Sequence, residues 1–444
     1  MPTVLNLKPD DVDTFEKRSK FTVCVIGCGQ KGILLATSFA DAGFKVLCTD
    51  ANLSIIKKIS RGKTSFAGSE IEGKLKGLMN AGQLNVTSEL KKAVAQSDII
   101  IITVPAKVDE KRKIDYSEAL IACKQVAASL HAGTLVLYCN IAAFGFNEGI
   151  MKEAIENTSG LKTGLDFGLA YIPLQVFDTK YSTQIANLEL KFATVGKTSL
   201  DGVANILKRI TKNVKPICDI RTAEIATLFS VVRKDANMAL ANELAIFCEN
   251  ANIDFFEVLK LLDLNDQNFW PRTVEDENNS EAYLLLESAE NMNVKLRLPI
   301  LSRQINEEMV KHAVNLTQDA LRSCNKTLRR ARVAVLGNVN RTTGFFIKML
   351  ELKGAKVSVY DPQSKRESID LVAVKASNLN ETVEGTDCII VLSREEQFKN
   401  LNLKKLKPLT KTPSVIVDLA GTFEPKKVET EGFLYRGLGR GIEQ

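Results

Sequence analysis

Histidine is almost missing from this chain: His131 and His312 are the only two in 444 residues. The nine cysteines are scattered, with no CxxC pair and none grouped with a histidine. That excludes the usual zinc-ligand spacings and a disulfide framework, and it is the cysteine usage of the cytosol. No apolar run reaches the roughly 18 to 20 residues that a membrane-spanning helix requires. The opening residues, MPTVLNLKPDDVDTFEKRSK, are too polar and charged for a signal peptide or an anchor. A soluble, cytoplasmic protein without membrane contact is expected. Charge of one sign is lacking too. Lys and Arg number 59 against 53 Asp and Glu, and the formal +6 is dispersed, so no nucleic-acid partner is expected although anionic ligands are tolerated. At 444 residues the chain is too long for one compact core, and two or three domains are expected.

What the chain does have is a complete dinucleotide-binding pattern, FTVCVIGCGQKGILLATSFADAGFKVLCTD, from Phe21 to Asp50. Val23, Val25 and Ile26 read as a buried parallel strand that stops at Gly27. In GCGQKG, Gly27 allows the tight turn, Gly29 lets the backbone approach a pyrophosphate, and Gly32 lets the helix pack on the strand. The phosphate then sits on the helix N-terminus, where unpaired N–H groups and the macrodipole favour an anion. Gly43 turns the chain into a second strand, KVLCTD, and the terminal Asp50 accepts a ribose hydroxyl. A carboxylate there repels a 2′-phosphate, so NAD is expected rather than NADP. A lone GxGxxG is weak; strand, glycines, helix, strand and acid in register are specific. The alternative is a βαβ unit that binds nothing, and the motif's full context favours the ligand.

Alternation of strands and helices continues. SDIIIITVP, ending at Pro105, and TLVLYCN, ending at Asn140, are predicted strands whose C-terminal ends face the cofactor crevice, with Pro105 counted among the cofactor-binding residues. GLDFGLAYIP and ELKFATVG continue the sheet with less regular connections. From Thr222 to Ala251, Ile225, Leu228, Phe229, Val232, Ala236, Leu240, Leu244 and Phe247 recur at three and four, which predicts one long amphipathic helix able to join two domains and carry a dimer seam. Further helix is predicted from Ile253 to Leu262 and Ala282 to Thr317, with WPRTVEDENNSE between them as an exposed acidic loop. From Ala331 a second strand-turn-helix-strand, ARVAVLGNVNRTTGFFIKMLELKGAKVSVYDP, puts Gly337, Gly354 and Asp361 in the places of Gly27, Gly43 and Asp50. DCIIVLS and SVIVDLAG complete it. The expected fold class is α/β, with two doubly wound Rossmann-like domains joined by a long central helix. The regions are 1–212, 213–328 and 329–444.

The motifs VIGCGQKG with Asp50, VPAKVDEKRKIDYSEA, AEIATLFSVVRKDANMALANELA and FLYRGLGRG make the chain, from Phe21 to Gly441, resemble the nucleotide-sugar dehydrogenases of the UDP-glucose, UDP-N-acetylmannosamine and GDP-mannose dehydrogenase family. The UDP-N-acetylmannosamine branch is the nearest in look. The resemblance implies an N-terminal NAD-binding domain, a central dimerisation region and a C-terminal UDP-sugar-binding-like domain. Such enzymes oxidise a sugar C6 alcohol to a carboxylate in two NAD steps, holding the aldehyde on a cysteine.

Residue by residue, the chemistry that the resemblance implies is missing. A thiolate adds readily to an aldehyde and leaves readily from a thioester. Counting back from AYLLLESAENMNVKLRLP puts Glu277 at the cysteine's position, and no cysteine lies between Cys248 and Cys324. Thr227 and Val231 hold the places of the lysine and asparagine on the long helix; a stabiliser of that kind is worth roughly two to three orders of magnitude in rate. Leu174 replaces an acid, CNIAAFG replaces the STVPPG turn, and NVNRTTG leaves Arg341 as the one candidate cation in the C-terminal domain. Leu419 and Ala420 follow Asp418 where an arginine is expected.

Other candidates carry a bland reading beside the functional one. Cys139 ends a strand facing the crevice, and a buried inert thiol is the commoner case. His312, with Lys311 and Glu308, reads as a solvated helix residue. Arg233 and Lys234 could hold an anionic ligand or form a salt-bridged face. No residue is assigned a catalytic role and no metal site is expected. The readings are an NAD-binding pseudoenzyme that pairs with itself or with an active relative through the long helix, an active NAD-dependent oxidoreductase on a nucleotide sugar, or a structural subunit that binds nothing.

Overall fold

The β-branched runs form strands and the glycine-bounded amphipathic runs form helices. The computed structural model describes all residues apart from 1–2, 65–68, 110, 175–184, 218, 265–268, 274–279, 338–340, 363–373, 376–377 and 442–444. The chain divides into two units, Met1–Ser230 with Tyr283–Val294, and Val231–Ala282 with Lys295–Gln444.

In the first unit the strands are β1 (Thr22–Ile26), β2 (Lys45–Thr49), β3 (Leu84–Val86) and β4 (Ile99–Ile102), then a small antiparallel pair, β5 (Lys107–Val108) and β6 (Ile114–Asp115). They are followed by β7 (Leu135–Tyr138), β8 (Gly168–Tyr171), β9 (Glu189–Thr194) and β10 (Asn213–Pro216). Eight of them form one sheet in the order β10-β9-β8-β7-β4-β1-β2-β3. All neighbours are parallel except β8 and β9. Ile99 to Ile102 are wholly buried, because a central parallel strand is covered on both faces and gains nothing from a polar residue. The strand order reverses between β1 and β4, so a crevice opens there at the C-terminal ends.

The second unit repeats the plan with β11 (Arg332–Leu336), β12 (Lys356–Tyr360), β13 (Val374–Lys375), β14 (Cys388–Val391), β15 (Val415–Asp418) and β16 (Leu434–Gly437). The order is β13-β12-β11-β14-β15-β16. The repeat extends to hydrogen bonds. Gly27 N donates to Thr49 O at 2.9 Å, and Gly337 N donates to Tyr360 O at 3.2 Å. Asp98, just before β4, accepts from Thr22 N at 2.8 Å, and Asp387, just before β14, accepts from Arg332 N at 2.9 Å. In each unit an aspartate thus fixes the start of the strand beside it.

Ile220–Ala251 is a single helix of 32 residues. Its buried side differs from the expected stripe. Leu228 is buried, but Phe229, Leu240, Leu244 and Phe247 stand exposed, while Glu224, Thr227, Asp235 and Asn242 are buried with small alanines. Polar residues can face inward because they are hydrogen-bonded: Asn242 Nδ2 donates to Asn306 Oδ1 at 2.9 Å, and Arg303 Nη1 lies 2.6 Å from Asp235 Oδ1. Further helices are Phe255–Leu261, Ala282–Asn291 and Arg297–Ser323. The predicted block from Ala282 to Thr317 is therefore broken, at a turn where Asn293 takes φ +57°, a left-handed conformation that asparagine tolerates. Among the described residues, no helix is long and apolar enough to cross a membrane.

Candidate functional site

The glycine turn lies between β1 and the helix Gln30–Asp41. Gly27 has φ +92°, and a Cβ on Gly32 would stand 1.8 Å from Gly27 O, so a side chain there would drive the helix off the turn. Gly29 has φ −70° and nothing within 4 Å of a Cβ, which leaves open space beside the helix N-terminus. The first-turn N–H groups have no intrahelical acceptor. This open cradle fits a pyrophosphate.

Asp50 stands half-buried one residue beyond β2. Its Oδ2 accepts from Cys28 N at 2.7 Å and its Oδ1 from Asn52 N at 2.8 Å. A carboxylate oxygen can accept twice, so capacity for ribose hydroxyls remains. Pro105 is exposed, three residues beyond β4, at the same C-terminal edge.

Three residues join this edge that the motif did not single out. Lys31 Nζ donates to Asn140 Oδ1 at 2.6 Å, and Asn140 Nδ2 donates to Thr103 O at 2.9 Å. Thr103 Oγ1 donates to Gly27 O at 2.8 Å. The pairing draws β1, β4 and β7 together, which no spacing in the sequence reveals. Cys139 is wholly buried, and burial pushes its thiol well above the ordinary range, with the nearby Lys31 opposing weakly. It is an inert core thiol.

The positions that the resemblance sets beside the family's catalytic groups are committed to packing. Thr227 Oγ1 donates to Ala223 O of its own helix at 2.7 Å. Val231, Leu174, Ile141, Ala142 and Ala143 are buried. Glu224 accepts from Gly145 N at 2.6 Å and from Asn147 N at 2.9 Å, and so anchors the end of the CNIAAFG turn. Burial raises its pKa despite those bonds. Glu277 lies outside the described residues.

In the second unit, Arg394 and Arg440 stand at the C-terminal edge of the sheet as cations that sequence reasoning overlooked, whereas Arg341 was named. Arg341 opens the helix Arg341–Leu352. Arg394, three residues beyond β14, places its guanidinium 3.9 Å from the centre of the Trp270 ring and donates to Gly421 O at 3.0 Å. Arg440, beyond β16, pairs with Asp254 and lies 4.7 Å over Phe256. Burial lowers the Arg394 pKa; Arg440 and Arg272 lower it further, and Asp418 opposes them. Positive charge has converged on one place. Trp270 packs against Phe256 with the rings tilted by 37° and their centres 4.7 Å apart, and its Nε1 is buried without an acceptor among the described residues. Pro271 and Thr273 are buried, and Arg272 N donates to Asn242 Oδ1 at 2.8 Å. The start of the predicted exposed loop is therefore packed, because an indole and a proline gain more from burial than from water. His312 is half-buried and engaged rather than simply solvated. It lies 2.9 Å from Glu249 Oε2, and Glu249 Oε1 accepts from Gly439 N at 2.7 Å. Arg233 is exposed on the long helix.

Residues 21–215 match the NAD-binding domain of the UDP-glucose/GDP-mannose dehydrogenase family, and residues 345–425 match that family's UDP-binding domain. A UDP-N-acetyl-D-mannosamine dehydrogenase of Pyrococcus horikoshii is 26% identical over 437 residues, spanning 94% of this chain and 99% of that protein. Protein CapL of Staphylococcus aureus is 26% identical, spanning 93% and 99%. A solved UDP-D-ManNAc dehydrogenase from Pyrococcus horikoshii superposes with a TM-score of 0.81 at 24% identity, covering 95% of this chain and 99% of that one. A UDP-glucose dehydrogenase from Pyrobaculum islandicum superposes with a TM-score of 0.79 at 19% identity, covering 95% and 98%. These superpositions speak for the fold.

Proposed function

The chain belongs to the UDP-glucose/GDP-mannose dehydrogenase family and carries its NAD-binding domain, and from that membership we propose a cofactor- and nucleotide-sugar-binding protein that has lost the four-electron oxidation. One observation carries this reading: Thr227, standing where the resemblance puts a lysine, spends its hydroxyl on Ala223 O, with Val231 buried one turn further on. Neither side chain can stabilise a developing alkoxide, since one is already bonded and the other is apolar.

The domains in this reading are 1–212 for NAD, 213–328 for dimerisation and 329–444 for the nucleotide sugar. Gly27, Gly29 and Gly32 would hold the pyrophosphate of NAD and Asp50 its adenosine ribose, with Pro105 at the rim. Bound NAD would supply hydride acceptance; the residues around it bind and orient. Arg394 and Arg272 are the groups for a diphosphate, beside Arg341 of NVNRTTG and in place of the arginine that the Asp418-Leu419-Ala420 turn does not provide. The names of the relatives point to a UDP-N-acetylhexosamine. The exposed Phe229, Leu240, Leu244 and Phe247 support pairing through the long helix, with a second copy or an active relative.

The deciding measurement is NADH formation by purified protein at high concentration with NAD and a panel of UDP- and GDP-sugars, the products being checked by mass spectrometry. No uronate, with NAD and a UDP-sugar both bound in calorimetry, is the expected result. A uronate product would establish the alternative, an active 6-dehydrogenase. Absence of any binding would leave a structural subunit. Arg394→Ala is expected to weaken UDP-sugar binding about tenfold, the loss of one charge-assisted contact, and to leave NAD binding unchanged.

A further inference from the structure

The N-terminal edges of the two sheets are alike in backbone and unlike in cover. In the first unit the chain's own opening residues lie along this edge. Thr3 is 3.3 Å from where a Cβ on Gly133 would be, just before β7, and Leu5 is 2.8 Å from one on Gly168, which opens β8. Asn205 Nδ2 donates to Leu7 O at 2.8 Å and Arg209 Nη2 to Pro9 O at 3.0 Å, while Arg18 Nη1 donates to Val12 O at 2.9 Å and to Asp13 O at 2.8 Å. The acidic run Pro9-Asp10-Asp11-Val12-Asp13 is thus gripped through its carbonyls by guanidinium groups. Phe15 closes the edge, 2.6 Å from where a Cβ on Gly43 would be.

The second unit repeats the hydrogen bonds of this edge. Lys45 N donates to Phe21 O at 3.2 Å, and Lys356 N to Ala331 O at 2.8 Å; Gly354 takes the place of Gly43, with the stem of Arg329 over it instead of a ring. Arg329, Arg330, Arg332, Lys353 and Lys356 are all exposed here, and among the described residues none of them makes an ion pair. Arg332 is the register partner of Lys356, and its Nη1 lies 2.9 Å from where a Cβ on Gly385 would be, so the cations run from the start of β12 across β11 to the turn before β14. The acids beside them are exposed Glu384, half-buried Glu351 and Asp387, which is already taken by Lys326 and Lys411. Lys353 follows the helix Arg341–Leu352 and complements its dipole. The three arginines stand at no helix end. Arg330 takes φ +68°, a left-handed conformation that glycine adopts with less strain, so the backbone does not call for an arginine there. We propose that this edge of the second unit docks an extended acidic segment of a partner protein, held as the first unit holds its own Pro9 to Asp13. A polypeptide fits better than a nucleic acid, because the exposed apolar side chain beside the cations is Leu352, 79% exposed, which offers no ring for a base to stack on. The edge is at the opposite end of the strands from Arg394, so this surface is separate from the proposed nucleotide-sugar site.

The test is fluorescence anisotropy of a fluorescein-labelled Asp-Asp-Val-Asp-Asp-Asp-Val-Asp peptide titrated with the full chain, with an oligothymidylate of equal length as the second probe and thermal unfolding of every variant. The native chain is expected to bind the peptide saturably and more tightly than the oligothymidylate, and added salt is expected to weaken that binding. Arg330→Glu with Arg332→Glu is expected to weaken it at least about tenfold. Arg330→Gln with Arg332→Gln, which brings in no new charge, is the second variant should the Glu pair fail to fold, and a loss of the same sign is expected. Absence of saturable peptide binding by the native chain overturns the inference, as does an unchanged affinity in whichever double variant folds. Tighter binding of the oligothymidylate than of the peptide overturns it too, by making the edge a nucleic-acid surface.

Discussion

The carboxylate of Asp50 accepts the backbone N–H of Cys28 at 2.7 Å, so the end of β2 braces the turn that follows β1. One side chain serves two structures. It holds the glycine turn in shape, and in the proposed cofactor reading its remaining lone pairs would meet the ribose. Asp50→Ala removes both. Hydrogen bonds to charged groups are worth about 1.5–3 kcal/mol, so NAD affinity is expected to fall roughly ten- to a hundredfold, with a lower unfolding temperature. Calorimetry and thermal unfolding of the same preparation read the two effects apart.

The glycines divide between fold and ligand. At Gly32 an added methyl would stand 1.8 Å from Gly27 O, so Gly32→Ala is expected to destabilise the first unit by several kcal/mol, on the order of a severe overpacking defect. At Gly29 nothing lies within 4 Å, so Gly29→Ala is expected to fold like the native chain and to fail in NAD binding, its methyl taking the pyrophosphate's space. Equal unfolding temperatures for the two variants would refute this division.

The long helix turns Leu240, Leu244 and Phe247 outward, each 41% exposed or more. At 100° per residue these three fall within about 60° of one another, with Phe229 on the same line as Phe247. Leu240→Glu with Phe247→Glu is expected to shift the protein from dimer to monomer in sedimentation velocity, with its helix content kept. A monomeric native chain would remove the dimer reading.

Asp387 is nearly buried between Lys326 at 2.9 Å and Lys411 at 3.2 Å. Burial raises its pKa, but the bonds from Arg332 N, Lys326 and Lys411 outweigh it and hold the carboxyl below its ordinary 3.8. The folded value is the depressed one, so the stabilisation is fully present above pH 3.8 and is lost as pH falls through the folded value. Asp387→Asn is expected to lower stability by roughly 1–3 kcal/mol at neutral pH, discounted for the exposed Lys411. The gap between the native and variant chains closes as pH drops below that range. Urea titrations of both chains across it provide the check.

The first unit was legible because its signals are local. Val23 to Asp50 places strand, turn, helix, strand and acid within thirty consecutive residues, and each obeys a rule about its own backbone. The echo at Gly337, Gly354 and Asp361 was legible for the same reason. The inward face of Ile220–Ala251 was not. Apolar periodicity predicts burial only when burial is by transfer from water, whereas Asp235, Asn242 and Glu224 are buried by pairing with Arg303, Asn306 and Gly145, residues far away in the chain.

By itself, then, the amino-acid sequence determined the two α/β units, the glycine turn and the absence of a cysteine between Cys248 and Cys324, because propensity, glycine geometry and residue identity are properties of short segments. Only the tertiary structure decided that Lys31 rests on Asn140, that Arg394 lies over Trp270 and that Phe229, Leu240 and Phe247 face outward. Each of these is a meeting, or a failure to meet, between segments that are distant in sequence, and packing sets it.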